Sequence, residues 1–280
     1  MSTEETQAAA REPAFAAGAI TERIIAEKQG AVGWITFNNP TRRNAISVDM
    51  WEAIPTVLDR FESDPRIRVI VLSGSGDKAF VAGADISQFE HQRSSPRDVQ
   101  YYENISEHAQ LRLQFSDRPV IAMIRGFCLG AGVNLALASD LRLVATDARF
   151  GVPAARMGLG YRVSSTKNLV DAIGAANARE MLFTARQFSA EEAKAMGLAH
   201  HVVPPAALEA LVLEYCATIS ANAPLTMRAA KRIIRELLKP PSDFDAAACD
   251  ALITQCFESA DYVEGRRAFM EKRKPAFNGK

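Results

Sequence analysis

The sequence lacks the features of a disulfide-rich, zinc-binding, membrane-spanning or nucleic-acid-binding protein. It has only four cysteines and no C-x-x-C pair, which fits neither a disulfide framework nor a zinc site. Neither charge is in excess, because 33 lysines and arginines balance 33 aspartates and glutamates, whereas general nucleic-acid binding requires a basic surplus. The apolar runs at residues 69–72 and 119–124 are too short to cross a bilayer. We therefore expect a cytoplasmic protein with no metal, nucleic-acid or membrane partner.

The N-terminal segment also lacks the basic residues that are typical of signal and transit peptides. It begins Met-Ser-Thr-Glu-Glu-Thr and continues as an alanine-rich stretch. We predict a disordered tail over residues 1–18, a core over 19–205 and a helical region over 206–280.

Strands and helices alternate through the predicted core. Two short runs at 22–28 and 32–38 flank Gly30, which predicts a hairpin. Buried strands are predicted at 68–73, 119–124 and 141–145, and helices at 47–61, 99–115 and 131–138. A capping box at Ser189–Glu192 predicts a further helix start, and from 206 onward the pattern is helical in four segments. The fold class is therefore α/β, with a largely parallel sheet and a C-terminal helical appendage.

Two glycine-rich segments, each following a predicted strand, are candidates for a ligand site. They run Phe80-Val81-Ala82-Gly83-Ala84-Asp85-Ile86 and Gly126-Phe127-Cys128-Leu129-Gly130-Ala131-Gly132. Small residues allow close approach of backbone to a ligand, and the second segment opens a helix whose first N–H groups are unpaired. Side by side they would form an oxyanion hole, although tight strand–helix packing explains each segment equally well.

Taken in order, several segments resemble the crotonase (enoyl-CoA hydratase/isomerase) family over about residues 20–277. They are Asn39-Pro40 with Arg43-Asn44-Ala45-Ile46-Ser47, 79–86, Gly130-Ala131-Gly132, Ser139-Asp140-Leu141-Arg142, Phe150-Gly151-Val152-Pro153, 188–198 and 264–277. The resemblance implies a crotonase-type spiral of ββα units with a C-terminal helical trimerisation region. It also implies an acyl-CoA substrate, no permanently bound cofactor beyond the coenzyme A of that substrate, and assembly as a homotrimer or dimer of trimers.

The resemblance also implies particular site residues. The backbone N–H groups of Ala84 and Ala131 would polarise the thioester carbonyl. Contacts to coenzyme A would come from two stretches of backbone and from one C-terminal lysine. The first stretch is Asn44 and Ala45, and the second is Ala82, Gly83, Ala84, Asp85 and Ile86. The lysine is Lys272 or Lys274.

The chain departs from the family hydratases at both acid–base positions. Those enzymes use two glutamates, and the matching residues here are Asn134 and Ala154. No glutamate occurs between Glu107 and Glu180, so no small change of alignment restores the pair. Since general acid–base groups contribute roughly 10²–10⁴ each, hydration by that route should be poor.

Tyr161 is the remaining titratable candidate near these positions. Its context resembles a stretch of crotonase-fold methylmalonyl-CoA decarboxylases in which a tyrosine serves the active site, although a ring packing on the glycine loop is the alternative. Arg162 could meet a substrate carboxylate or face solvent, and the segment with Glu90 and His91 could form a pocket lid or plain surface. The expected function is an acyl-CoA enzyme of enoyl-CoA hydratase/isomerase type, a lyase or isomerase. The alternatives are a decarboxylase or isomerase using Tyr161, and a non-catalytic acyl-CoA binder.

Overall fold

A computed structural model of the chain describes residues 10–16, 18–85 and 95–280. The strands in these ranges are β1 (Glu12–Pro13), β2 (Ile24–Gln29), β3 (Val32–Phe37), β4 (Val69–Gly74), β5 (Ala79–Val81), β6 (Val120–Ile124), β7 (Phe127–Leu129), β8 (Leu141–Ala145), β9 (Arg149–Gly151), β10 (Phe188–Ser189) and β11 (His201–Val203). The helices are α1 (Val48–Glu62), α2 (Pro96–Gln114), α3 (Ala131–Ala138), α4 (Val163–Thr184), α5 (Ala190–Ala195), α6 (Pro205–Ser220), α7 (Pro224–Leu237), α8 (Ala246–Phe257) and α9 (Ala260–Met270). None of these helices is long and apolar enough to span a membrane.

A seven-stranded sheet, in the order β1-β2-β3-β4-β6-β8-β11, forms the centre of the fold. The hairpin of β2 and β3 is antiparallel, and the following neighbours from β3 to β11 are parallel. Alternate side chains of a strand point to opposite faces, so Ile70 and Leu72 join one core while Val69 and Val71 join the other. The predicted α/β class with a largely parallel sheet is confirmed.

The end of the predicted tail belongs to this sheet, so that part of the prediction is wrong. β1 pairs with β2, Ala14 is buried, and its N–H donates to the Ala26 carbonyl at 2.8 Å. The Arg11 guanidinium lies 3.7 Å from the centre of the Trp34 ring. A two-residue strand at a sheet edge has no periodicity of its own, and only its partner strand makes it visible.

A second sheet, in the order β10-β9-β7-β5, contains parts of both glycine-rich segments. β5 and β7 are parallel strands of three residues each, where the sequence suggests loops. The sequence suggests loops because glycines surround these short strands. Gly126 and Gly132 are needed there because another backbone segment approaches each of them closely. A Cβ atom at Gly126 would lie 2.0 Å from the Lys78 carbonyl oxygen.

The C-terminal helices begin with α6, which covers one face of the large sheet. Leu208, Val212 and Cys216 of α6 are buried against strand residues of that face. α7 is attached to the core through Lys231, whose Nζ donates to Asp140 Oδ2 at 2.8 Å and to the Arg118 carbonyl at 3.0 Å. Four helices, α6–α9, thus lie between residues 205 and 270, and residues 271–280 follow them without a helix.

Candidate active site

The first loop of the site follows β5 and is joined to the segment between β3 and α1. Ala82 N–H donates to the Arg43 carbonyl at 3.1 Å, Ile46 N–H to the Gly83 carbonyl at 2.9 Å, and Asp85 N–H to the Ile46 carbonyl at 2.9 Å. In this parallel pairing Ala84 lies opposite Ile46, and the bonds of Ile46 go to the residues on either side of Ala84. The Ala84 N–H has no hydrogen-bond partner among the described residues. Gly83 has φ +108°, a conformation that side chains rarely allow.

The second loop follows β7 and ends in α3. Gly130 is the N-cap residue of α3, and its own N–H donates to the Gly151 carbonyl at 2.8 Å. The first helical hydrogen bond comes from Asn134 N–H, at 3.2 Å from the Gly130 carbonyl. Ala131 N–H therefore lies in the first turn of α3 and is unpaired within the described ranges. The positive end of the helix dipole favours negative charge at this place.

Glycines bring the two loops together. A Cβ atom at Gly132 would lie 2.1 Å from the Val81 carbonyl oxygen, so only glycine allows α3 to start directly against β5. A Cβ atom at Gly130 would lie 3.9 Å from Gly83 Cα, so the loops touch. The unpaired N–H groups of Ala84 and Ala131 consequently belong to adjoining loops, which is the arrangement that an oxyanion hole requires.

Four predicted site residues contact the same hydrophobic core. Ala84, Ala131, Ala154 and Tyr161 are all half-buried and pack against the larger apolar cluster. Ala154 belongs to a 3-10 turn, Pro153–Met157, and has no polar side-chain atom.

Tyr161 and Asn134 form a direct pair. Asn134 is one turn after Ala131 on α3, and the Tyr161 hydroxyl donates a short hydrogen bond to its Oδ1. Burial raises the pKa of the Tyr161 phenol above its ordinary value, so the hydroxyl remains a donor at neutral pH. Because Oδ1 accepts from Tyr161, the Asn134 amide is oriented with its N–H groups available as donors. The pair is therefore neutral and rich in donors.

The Asn44 side chain connects the segment between β3 and α1 to the start of β5 and to the turn before it. Asn44 is buried and its backbone has φ +56°. Its Nδ2 donates to the Ser75 carbonyl at 2.9 Å and to the Ala79 carbonyl at 2.8 Å. Its Oδ1 accepts from Asn39 N–H at 3.0 Å. Any contact of Asn44 or Ala45 with coenzyme A must therefore come from backbone atoms, as the sequence resemblance implies.

The other predicted positions are less closely tied to these loops. Lys272 and Lys274 are exposed just beyond α9, and their contact with coenzyme A stays a prediction. Ile86, like Glu90 and His91, lies outside the described residues.

The adjacent histidines His200 and His201 contact different neighbours. The His200 ring accepts from Arg142 N–H at 3.1 Å, and the His201 ring contacts the Tyr215 hydroxyl at 2.7 Å. Within the described ranges, no group of side chains could hold a metal ion.

Sequence reasoning missed the acidic partners of Arg162. Its guanidinium lies 3.2 Å from Glu103 and 3.5 Å from Glu107, both on α2. The four-residue spacing of the two glutamates on a helix places them on one face, but the sequence contains no signal that Arg162 meets them.

Comparison with known proteins agrees with this architecture. The family model described as Enoyl-CoA hydratase/isomerase matches residues 27–280. The chain is 32% identical to a short-chain-enoyl-CoA hydratase of Clostridium acetobutylicum, over 90% of this chain and 95% of that protein. It is 35% identical to a putative enoyl-CoA hydratase/isomerase of Bacillus subtilis, over 91% and 98%. A crystal structure of an enoyl-CoA hydratase/carnithine racemase from Magnetospirillum magneticum superposes with a TM-score of 0.89 at 33% identity, covering 93% and 97% of the two chains.

The fold and the matches define a crotonase-fold protein. The chain belongs to the enoyl-CoA hydratase/isomerase family.

Proposed function

We propose that this protein binds an acyl-CoA and stabilises the enolate of its thioester between the N–H groups of Ala84 and Ala131. The observation that carries the proposal is the presence of two unpaired backbone donors on adjoining loops. No permanently bound cofactor is needed, since coenzyme A arrives with the substrate. Named relatives act as enoyl-CoA hydratases, which supports a CoA thioester as the substrate class.

Fixed donors favour charge that develops during the reaction. When a bond at Cα breaks, or when a nucleophile adds at Cβ, negative charge collects on the thioester oxygen. Two N–H groups that already point at this oxygen need no reorganisation, and loss of one such donor typically costs roughly 10²–10³ in rate.

Hydration is the step that the site supports least. Adding water to an enoyl-CoA requires one group to take a proton from water and another to protonate Cα. Asn134 does not titrate and Ala154 has no polar group, so neither can do this. We propose that crotonyl-CoA hydration is slow or absent, although relatives carry the name hydratase.

The double substitution Asn134→Glu plus Ala154→Glu tests this point. If the carbonyl-polarising loops are in place, adding both acids should raise crotonyl-CoA hydration by roughly 10²-fold or more, whereas either single change should do far less. Hydration by the unchanged protein at the rate of family hydratases would refute our assignment of these positions.

A second candidate is decarboxylation with the Asn134–Tyr161 pair as hydrogen-bond donor. Double-bond isomerisation is supported less, because it must first remove a proton from Cα and neither Asn134 nor the protonated Tyr161 phenol can accept it. In a decarboxylation the electron pair of the breaking C–C bond enters the thioester enolate, CO2 leaves, and Cα then takes a proton. That enolate forms without a base, which suits a neutral donor pair beside the oxyanion hole. A carboxylate or a second carbonyl of the acyl group would accept from the Asn134 amide.

A panel of CoA esters separates these functions from one another. Crotonyl-CoA reports hydration, vinylacetyl-CoA isomerisation, and malonyl-CoA and methylmalonyl-CoA decarboxylation. Binding without turnover of any member, in the presence of tight acetoacetyl-CoA binding, would favour a non-catalytic acyl-CoA binder. Binding should weaken with salt, because Lys272 or Lys274 is proposed to meet a phosphate of coenzyme A.

We also propose that the chain assembles with itself as a trimer or a dimer of trimers. Several large apolar side chains of α7–α9 are more than half exposed: Ile234, Leu237, Phe257, Val263, Phe269 and Met270. Patches of this kind mark interaction surfaces. Leu208 and Val212 do not contribute to this surface, because they are buried between α6 and the large sheet. A monomeric mass by light scattering at micromolar concentration would contradict the assembly.

A further inference from the structure

Arg162 follows Tyr161 directly and bridges two glutamates of α2. Its Nη2 lies 3.2 Å from Glu103 Oε2, and its Nη1 lies 3.5 Å from Glu107 Oε2. The side chain of Arg162 is 24% exposed, so the contact lies at the edge of the protein and not in open solvent. Without Arg162, the two like charges one turn apart on α2 would repel each other.

The helix that carries these glutamates is itself anchored. Tyr102 of α2 is buried, and its hydroxyl accepts from Trp51 Nε1 of α1 at 2.9 Å. Arg162 is the N-cap residue of α4, so its ion pairs attach the beginning of α4 to a fixed neighbour.

The chain just before Tyr161 has little packing of its own. Cβ atoms at Gly158 and Gly160 would meet no described atom within 4 Å. Met157 and Leu159 are 49% and 45% exposed. Tyr161 is thus preceded in the chain by an exposed, glycine-rich stretch. It is followed by Arg162, which makes two ionic contacts.

We infer that Arg162 is a positioning residue: through Glu103 and Glu107 it fixes the start of α4 and so holds the Tyr161 hydroxyl against Asn134. The consequence for turnover rests on the proposed function, whereas the consequence for the Tyr161 hydroxyl does not.

Removal of Arg162 separates two physical roles by the sign of a pKa change. If the arginine only supplied a nearby positive charge, its loss would raise the pKa of Tyr161, because the phenolate would lose a favourable neighbour. If the arginine instead fixes the start of α4, its loss exposes the Tyr161 phenol to water. The pKa of Tyr161 then falls toward the ordinary value of roughly 10.

The test is an ultraviolet difference titration of Arg162→Met. The titration curve of each protein is compared with that of the same protein carrying Tyr161→Phe. The difference between the two curves is the ionisation of Tyr161 alone, among the five tyrosines of the chain. Arg112→Met is the matched control, because Arg112 also bridges two carboxylates, Asp59 and Glu62, and is 28% exposed. We expect Tyr161 to ionise at about pH 10 in Arg162→Met, and at a clearly higher pH in the wild type and in Arg112→Met.

Arg162→Lys serves as the second variant if Arg162→Met does not fold. It keeps the charge but loses the two-pronged contact, so the titration should shift in the same direction by a smaller amount. An unchanged or higher pKa of Tyr161 in the variant that folds would overturn the inference.

Turnover provides an independent readout. On the fastest ester of the panel above, Arg162→Met should lower kcat roughly fivefold with less than about a twofold change in KM, since displacement of a positioned group costs rate. In the Tyr161→Phe background the same change should lower kcat by less than about twofold. If Tyr161→Phe itself lowers kcat, equal losses from Arg162→Met with and without the Tyr161 hydroxyl would overturn the inference.

The two proposals can fail separately. If Tyr161→Phe leaves kcat unchanged while Arg162→Met still releases the phenol in the titration, the positioning role stands and the catalytic role of Tyr161 falls.

Discussion

Gly132 is the position at which one added methyl group should most directly disturb the proposed oxyanion hole. Its hypothetical Cβ lies 2.1 Å from the carbonyl oxygen of Val81, 3.1 Å from its carbonyl carbon and 3.2 Å from its Cβ. The nearest two atoms are backbone, so no side chain can rotate away. Relief of the overlap requires α3 and β5 to separate by roughly 1 Å.

Gly132→Ala should therefore affect both stability and binding. Overpacking of a well-filled interior costs typically about 1–3 kcal/mol of unfolding free energy. A shift of about 1 Å between α3 and β5 also moves Ala131 N–H away from Ala84 N–H. Loss of one hydrogen bond of about 1.4 kcal/mol should weaken acetoacetyl-CoA binding by roughly tenfold. The displacement and the functional loss have one cause, so they should appear together.

The assay is urea unfolding together with calorimetric titration of acetoacetyl-CoA. Gly160→Ala is the matched control, because its Cβ would meet no described atom within 4 Å and its φ is not in the left-handed region. We expect the control to stay within about 0.5 kcal/mol of the wild type. Equal stability and equal acetoacetyl-CoA affinity in the two variants would refute the close approach of α3 to β5.

Three further predictions concern single side chains. Tyr161→Phe should leave the unfolding midpoint nearly unchanged and lower kcat on the true substrate by roughly tenfold, as measured by steady-state kinetics. Lys231→Met removes the cation beside Asp140, whose side chain is 33% exposed and also accepts from Val120 N–H, so the change should cost about 1 kcal/mol in urea unfolding. Equal stability would show that the pair contributes nothing. Burial lowers the pKa of His200 to about 4, and its ring accepts from Arg142 N–H. The unfolded chain takes up this proton below about pH 6.5, so stability falls from there to about pH 4, and His200→Gln should flatten that part of the unfolding profile.

The sequence was informative where structure is local or strongly apolar. The runs at 69–72 and 119–124 form buried strands, since apolar residues on both faces are compatible only with the interior of a sheet. The capping box also appears as predicted: Ser189 Oγ accepts from Glu192 N–H at 3.2 Å, and Ser189 N–H donates to the Glu192 carboxylate at 2.7 Å.

Non-local contacts were not predictable in this way. β5 and β7 have three residues each and depend on strands far along the chain, so no local period reveals them. The Asn134–Tyr161 hydrogen bond and the ion pairs of Arg162 likewise join residues that are 27 and more than 50 positions apart. Small residues after predicted strands identified the two glycine-rich loops, but only the three-dimensional structure shows which side chains lie beside them.

A crystal structure with bound acetoacetyl-CoA tests the central claim most directly. The account predicts that the thioester oxygen lies within about 3 Å of both Ala84 N and Ala131 N, the usual length of such hydrogen bonds. The keto oxygen should then face the Asn134–Tyr161 pair. A thioester oxygen that contacts neither N–H group, with the acyl chain held elsewhere in the protein, would contradict the account.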